Sequence, residues 1–134
     1  GLDHPDVAMS FGNMGILFSD KKEYDKAVQF YNKALSIFVA VFGNYHPYVG
    51  EVYNGLAKIF VNQILYTKAL QYYNLAINSL VKGFSNRSIY VNPVLPTIYQ
   101  MKEGRSTINS MPYLLKALTG KAEALENKWK LNDE

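Results

Sequence analysis

The sequence contains no cysteine, one tryptophan and no long apolar run. Without cysteine the chain can form neither a disulfide nor a thiolate metal site, and this fits a protein of the cytoplasm. The longest apolar stretch covers residues 37–42, which is far short of the roughly 18 residues that a membrane-spanning helix needs. No membrane association is therefore expected.

Strong charge of either sign is also missing. The 14 Lys and Arg residues exceed the 11 Asp and Glu residues by a net +3, and the lysines are scattered along the chain. An excess of this size serves solubility and does not indicate nucleic acid as a partner. Apolar residues make up 49% of the 134 residues, which is enough to build the core of one domain.

The residue patterns of catalysis are absent as well. The sequence shows no carboxylate cluster, no glycine-rich phosphate loop and no metal-binding spacing of His and Glu. The two histidines, His4 and His46, occupy equivalent positions in two turns, where each is expected to hydrogen-bond its own turn. We therefore expect no enzyme activity, no catalytic residue, no metal and no cofactor.

An internal repeat dominates what is present. Residues 1–42 and 43–84 align without a gap, and 14 of the aligned positions are identical. The strongest match pairs residues 24–35 with residues 66–77. A fixed period of this length indicates stacked supersecondary units, so the two segments should have the same shape.

Each repeat reads as two helices. The first helix, which we call helix A, should begin at Pro5, since proline suits a first turn; its apolar residues follow three- and four-residue spacing. That stripe consists of Val7, Phe11, Met14, Leu17 and Phe18. Helix B should cover residues 23–41. In the second repeat the helices should cover residues 47–62 and 66–82, and Gly43 and Gly83 should end the two B helices.

The third segment departs from the pattern. Pro93 and Pro96 fall where its helix A should begin, so a short helix over residues 96–103 and a loop over 104–107 are expected. A last helix should start after Ser110 as N-cap, with Pro112 in its first turn. Its apolar stripe is Leu114, Leu118, Ala122, Leu125 and Trp129, and its polar face carries Lys116, Lys121, Glu123 and Glu126.

These residues resemble the tetratricopeptide repeat family. The family spaces an aromatic residue, Leu, Gly and a second aromatic residue along helix A, and Ala and an aromatic residue along helix B. The first repeat fills these places with Phe11, Met14, Gly15, Phe18, Ala27 and Tyr31, and the second with Tyr53, Leu56, Ala57, Phe60, Ala69 and Tyr73. The 42-residue period and the Gly-x-x-His-Pro turns at residues 1–5 and 43–47 resemble the kinesin-light-chain-like subfamily.

The resemblance implies an all-α fold, a right-handed superhelical stack of antiparallel helix pairs. It divides one domain, residues 1–130, into repeats at 1–42 and 43–84 and a degenerate third repeat or cap at 85–130. Residues 131–134 should form a frayed tail. It also implies a protein or peptide partner held in a concave groove lined by the A helices. The groove residues that it indicates are Asn13, Ile16, Ser19, Asp20, Asn54, Lys58, Val61, Asn62 and Gln100.

Two other functions are consistent with the same pattern. The chain could be a structural segment of a longer solenoid with no ligand of its own, which the degenerate third segment favours. An RNA-binding helical repeat is the other, but it requires basic residues along the groove, where Asp20 and Glu51 lie instead. Because the sequence begins on a repeat boundary, we expect an uncapped first helix pair and a tendency to self-associate through it.

Overall fold

The structure is a computed structural model that describes residues 3–81 and 111–132. The described residues form five α-helices and no β-strand. In chain order they are α1 (Pro5–Asp20), α2 (Tyr24–Phe42), α3 (Pro47–Asn62), α4 (Tyr66–Leu80) and α5 (Met111–Asn132). The first four match the helices expected from the repeat, with boundaries that differ by two residues at most. Helix α1 and helix α2 form unit 1, and α3 and α4 form unit 2.

The two units share the turns that join and start their helices. Between helix A and helix B, Lys22 in unit 1 and Ile64 in unit 2 both adopt positive φ, at 61° and 63°. At the start of helix A, Nδ1 of His4 accepts a hydrogen bond from the Asp6 N–H at 3.1 Å. Nδ1 of His46 accepts one from the Tyr48 N–H at 3.2 Å. The expectation that each histidine bonds its own turn is confirmed.

The helices pack as antiparallel pairs around small residues. Ala27 and Ala34 of α2 and Ala69 and Ala76 of α4 are fully buried. Small side chains at these places let the helix axes approach closely, because there is little room where two helices cross. Aromatic residues fill the space beside them, as in the parallel stack of Phe18 on Phe30, whose ring centroids are 5.3 Å apart.

The stack has an inner and an outer side. Helix α3 contacts α1, and α5 contacts α3, whereas no Cα atom of α2 lies within 8 Å of a Cα atom of α4. The A helices are thus closer together than the B helices, and this spacing curves the stack with the A helices on its concave side. The all-α solenoid expected from the sequence is confirmed.

Some apolar stripes lie differently from the prediction. On α1, Met14 and Leu17 are 37% and 45% exposed, so they do not belong to the core. On α5, Lys121 was placed on the polar face, and this was wrong: its side chain is 1% exposed. Trp129, which was placed on the apolar stripe, is 65% exposed. Helix α5 also continues through Asn132, two residues beyond the predicted end of the domain.

Other predictions concern residues outside the described part of the chain. These are the C-cap at Gly83, the short helix over 96–103, the loop over 104–107, the N-cap Ser110 and the groove residue Gln100.

Candidate binding groove

Helix α5 lies where the helix A of a third unit belongs. It packs against α4 and contacts α3, just as α3 packs against α2 and contacts α1. Its sequence aligns with that of α3 at a spacing of 65 residues, and Pro112, Tyr113 and Gly120 then match Pro47, Tyr48 and Gly55. The third A helix is therefore displaced from the 42-residue period, at which it was sought in the sequence.

A glycine in contact with a tyrosine ring fixes this register. A Cβ atom on Gly55 of α3 would lie 2.6 Å from Cζ of Tyr31 on α2. A Cβ atom on Gly120 of α5 would collide in the same way with Cζ of Tyr73 on α4. Tyr31 and Tyr73 are equivalent residues of the two B helices, both less than 10% exposed. Each A helix after the first thus sets a glycine on the tyrosine of the preceding B helix.

The inner faces of the A helices carry residues that recur at equivalent positions. On α1 they are Met9, Asn13, Ile16 and Asp20; on α3 they are Glu51, Gly55, Lys58 and Asn62; on α5 they are Lys116, Gly120, Glu123 and Asn127. All of these residues are exposed or half-buried, and they lie on one side of each helix because of their three- and four-residue spacing. Together they define the surface that we call the groove.

Most of the predicted groove residues lie open to solvent. Asn13, Ile16, Asp20, Lys58 and Asn62 are exposed. Ser19 and Val61 are half-buried. Asn13, Ile16 and Asp20 lie on one face of α1, and Lys58 and Asn62 lie on the equivalent face of α3, whereas Ser19 and Val61 lie to the side of these faces.

Asn54 is an exception. Its side chain is 8% exposed, and its Nδ2 donates a hydrogen bond to the backbone carbonyl of Tyr113 on α5 at 3.0 Å. Its Oδ1 is buried without a hydrogen-bond partner among the described residues. Asn54 therefore joins α3 to α5 and is covered by α5, so it does not present its amide to the groove.

The charges of the groove change from one helix to the next. Burial, followed by the charges of Glu51 on α3 and Asp20 on α1, raises the pKa of Tyr31 to about 12. Carboxylates of both A helices therefore act on the ionisation of Tyr31. Helix α3 carries Glu51 and Lys58 at the positions where α5 has Lys116 and Glu123, so the two helices present opposite charges side by side.

At the same two positions α1 carries apolar residues. Met9 is 44% exposed and Ile16 is 47% exposed. At these two positions the groove is consequently apolar on α1 and charged on α3 and α5, while Asp20 is the charged groove residue of α1. An apolar side chain of a ligand would be desolvated most favourably over α1.

The groove residues of α5 were missed in the sequence analysis, which assigned Gln100 to the third unit. The sequence signal for this third A helix is the Pro-Tyr of residues 112–113, which matches the Pro-Tyr of residues 47–48. A search at the fixed 42-residue period cannot find it.

Within residues 3–81 and 111–132 no group of His, Asp and Glu side chains could hold a metal ion. None of the five helices is both long and apolar enough to cross a membrane.

Comparisons with known proteins agree with this architecture. A family model described as a tetratricopeptide repeat matches residues 6–80. Among solved structures, the crystal structure of BtubC (BKLC) from P. vanneervenii is similar, with a TM-score of 0.58 and 17% sequence identity. The match covers 98% of this chain and 50% of that chain, so this chain spans half the length of the similar structure. A search of curated proteins gives no match.

Proposed function

Because the chain belongs to the tetratricopeptide repeat family, we propose that it is an interaction scaffold that holds an extended segment of a partner protein in the groove of α1, α3 and α5. Tetratricopeptide repeats are a non-enzymatic scaffold family and generally mediate protein–protein interactions. The groove itself is our proposal. The observation that carries it is that three successive A helices leave equivalent residues uncovered on the concave side.

The chemistry of the groove indicates what the segment should contain. Over α1, the exposed Met9 and Ile16 favour an apolar side chain. Over α3, the exposed ammonium of Lys58 favours a carboxylate. Also on α1, the exposed amide of Asn13 can both donate and accept a hydrogen bond, which suits the backbone of an extended peptide.

The test is a selection from a random twelve-residue peptide library displayed on phage, followed by calorimetric titration of the enriched peptides. We expect sequences that join an aliphatic residue to an acidic one. The double variant Ile16→Ala with Lys58→Ala should weaken binding by about tenfold or more, because contacts at the centre of an interface contribute most of its affinity. Asn54→Ala is unsuitable, since it would disturb the contact between α3 and α5.

A matched control lies on the outer side of the stack. Gln71 of α4 is exposed and belongs to a B helix, so Gln71→Ala should leave the affinity unchanged. If the double variant binds the selected peptides as tightly as the original chain, the groove assignment is wrong.

Two alternatives predict other results. A structural segment of a longer solenoid would enrich no peptide in the selection. An RNA-binding repeat would bind single-stranded RNA with an affinity that falls steeply as salt rises, because phosphate contacts release counterions. Binding of the selected peptides should depend on salt only weakly.

The uncovered face of α1 supports self-association as a second candidate. Met14 and Leu17 are 37% and 45% exposed, whereas Leu56 and Ile59, the equivalent residues of α3, are fully buried. Two copies could cover these residues by pairing their α1 helices. Light scattering over a range of concentrations should then show a dimer that Leu17→Asp abolishes, and a monomer at all concentrations would exclude it.

We also propose a subfamily and a cellular location for the chain. The kinesin-light-chain-like subfamily is supported by the 42-residue period and by the histidine caps at the turns of both repeats. The cytoplasmic location is supported by the absence of cysteine.

A further inference from the structure

The tyrosine rings that pack between the A helices each carry a hydroxyl group to the groove. The Cγ and Cδ1 atoms of Tyr31 lie against Gly15 of α1, and its Cζ atom and hydroxyl oxygen lie against Gly55 of α3. A Cβ atom on Gly55 would be 2.7 Å from that hydroxyl oxygen. A Cβ atom on Gly120 of α5 would collide in the same way with the hydroxyl oxygen of Tyr73. Because Gly55 and Gly120 are groove residues, each hydroxyl takes the place of a groove side chain.

Neither hydroxyl has a hydrogen-bond partner among the described residues. Tyr31 and Tyr73 are nevertheless almost covered, at 6% and 7% exposed. Within the described part of the chain, Oδ1 of Asn54 is the only side-chain atom that is both fully buried and without a hydrogen-bond partner. The two hydroxyl oxygens therefore reach the surface of the protein, and the glycines beside them show that this surface is the groove.

The charges that act on the two hydroxyls also come from the groove. Burial, and then the charges of Glu51 and Asp20, raise the pKa of Tyr31 to about 12. Burial, and then the charge of Glu123, raise the pKa of Tyr73. All three carboxylates belong to groove residues. Because neither tyrosine ionises near neutral pH, both hydroxyls keep their proton and can donate a hydrogen bond.

Packing of the helices accounts for the two rings but not for their hydroxyls. The family pattern has phenylalanine at this place of helix B, and a phenylalanine ring would fill the same space. A hydroxyl that is withdrawn from water without a hydrogen bond costs free energy. Both repeats carry tyrosine here all the same, as Tyr31 and Tyr73.

We propose that the hydroxyls of Tyr31 and Tyr73 hold the main chain of the ligand, each donating a hydrogen bond to a carbonyl oxygen of an extended peptide. An extended chain presents a carbonyl group on one side at every second residue, whatever its side chains are. Tyr31 lies between α1 and α3, and Tyr73 lies on α4 against α5, so the two bonds would hold the peptide across all three A helices. This inference rests on the groove function proposed above and adds a contact that does not depend on the sequence of the ligand.

The test uses Tyr31→Phe, Tyr73→Phe and the double variant, which remove the hydroxyls and keep the rings. The probes are the dodecapeptides that the selection enriches, titrated by calorimetry. Each single variant should bind them about three- to tenfold more weakly, as loss of one hydrogen bond does. The double variant should lose roughly the product of the two factors, since the sites are separate. The loss should be the same for enriched peptides of different sequence, because a main-chain contact is indifferent to side chains.

A matched control lies next to Tyr73 on the same helix. Tyr72 stacks on Phe60 of α3, with ring centroids 5.2 Å apart, so its ring belongs to the interface of α3 and α4. Tyr72→Phe should bind the peptides as tightly as the original chain does. Urea denaturation should show that Tyr31→Phe and Tyr73→Phe are as stable as the original chain, because their hydroxyls are not bonded to other described residues.

Three results would overturn the inference. If the double tyrosine variant keeps its affinity while Ile16→Ala with Lys58→Ala loses it, the groove function stands and the role of the hydroxyls is wrong. If Tyr31→Phe or Tyr73→Phe lowers stability as loss of a buried hydrogen bond does, the hydroxyls bond within the chain and are not available to a ligand. A selection that enriches no peptide would contradict both this inference and the proposed function.

Discussion

Helices α3 and α5 pack against the B helix that precedes them in equivalent positions, but with different chemistry at the centre of the contact. Leu56 of α3 is fully buried, and the equivalent residue of α5 is Lys121, which is buried to the same extent. The Nζ atom of Lys121 lies 3.5 Å from Oδ1 of Asn74 on α4. The same place in the fold thus holds an apolar side chain in one unit and an ammonium group in the next.

What the two helices share lies at the points of closest approach. Both carry Pro-Tyr in the first turn, and both set a glycine on a tyrosine ring, Gly55 on Tyr31 and Gly120 on Tyr73. A bulky side chain at either glycine would collide with a ring that is itself buried, whereas other positions can vary in volume and polarity. The comparison teaches that the register of the stack depends on a few close contacts and not on a uniformly apolar interface.

Among the substitutions that we predict, removal of the tyrosine rings should lower the free energy of unfolding most. Tyr31→Ala and Tyr73→Ala should each lower the free energy of unfolding by roughly 3–5 kcal/mol, as truncation of large buried aromatic side chains does. Both rings fill the space between two A helices, so the losses should be similar. Urea denaturation followed by circular dichroism measures them.

Tyr45, which is 54% exposed, provides the control, and Tyr45→Ala should change stability by no more than about 0.5 kcal/mol. If Tyr73→Ala proves nearly neutral while Tyr31→Ala is costly, then α5 is not the structural equivalent of α3.

The buried lysine should have an intermediate effect. Burial lowers the pKa of Lys121 from 10.5 to about 8. Lys121→Met keeps a similar shape without the charge and should raise the free energy of unfolding by roughly 1–3 kcal/mol at neutral pH, which is the usual cost of burying a polar group. Chemical denaturation at several pH values checks this.

The lowered pKa of Lys121 also fixes how stability changes with pH. The folded chain binds the proton of Lys121 more weakly than the unfolded chain, so unfolding takes up a proton between about pH 8 and pH 10.5, and stability rises with pH in that range. The advantage of Lys121→Met should shrink over the same range. Lys116→Met, at an exposed position of α5, is the control and should leave the free energy of unfolding nearly unchanged. A constant advantage at all pH values would contradict the assignment.

The parts of the fold that repeat could be predicted from the sequence. The gap-free alignment of the first two repeats gave the positions of four helices, since equal spacing of Pro, Ala and aromatic residues dictates equal packing. The histidine caps were predictable for the same reason, because His4 and His46 precede a proline that starts a helix.

The position of α5 could not be predicted in this way, because the period breaks before it. Lys121 was misassigned because a lysine ordinarily marks a solvated face, whereas in the fold this residue is buried against α4. Helical periodicity accounts for the exposure of most of the residues that were predicted on α1 and α3. The sequence analysis predicted a helix after residue 110, which is confirmed, but it did not predict that this helix packs against α3, and the burial of Asn54 depends on that packing.

A substitution at the N-cap of α3 should have the smallest effect on the free energy of unfolding. It tests the comparison of α3 with α5 at the start of the two helices. His46 precedes α3, where α5 has Met111. The imidazole of His46 accepts the hydrogen bond from the Tyr48 N–H and stacks on Phe42, with ring centroids 3.9 Å apart. His46→Met makes the start of α3 resemble that of α5 and should lower the free energy of unfolding by about 1 kcal/mol above pH 6.5, as loss of an N-cap does.

At acidic pH the difference in stability between His46→Met and the original chain should disappear. Burial lowers the pKa of His46 below its ordinary value of 6.5, so its contribution to stability is complete above pH 6.5 and is lost as the pH falls through the lower folded-state pKa. Thermal unfolding at pH 8 and at pH 5 should show a gap between His46→Met and the original chain that narrows in acid. His4→Met removes a more exposed cap and should cost less. A gap that widens in acid would show that protonated His46 stabilises α3, contrary to its role as a hydrogen-bond acceptor.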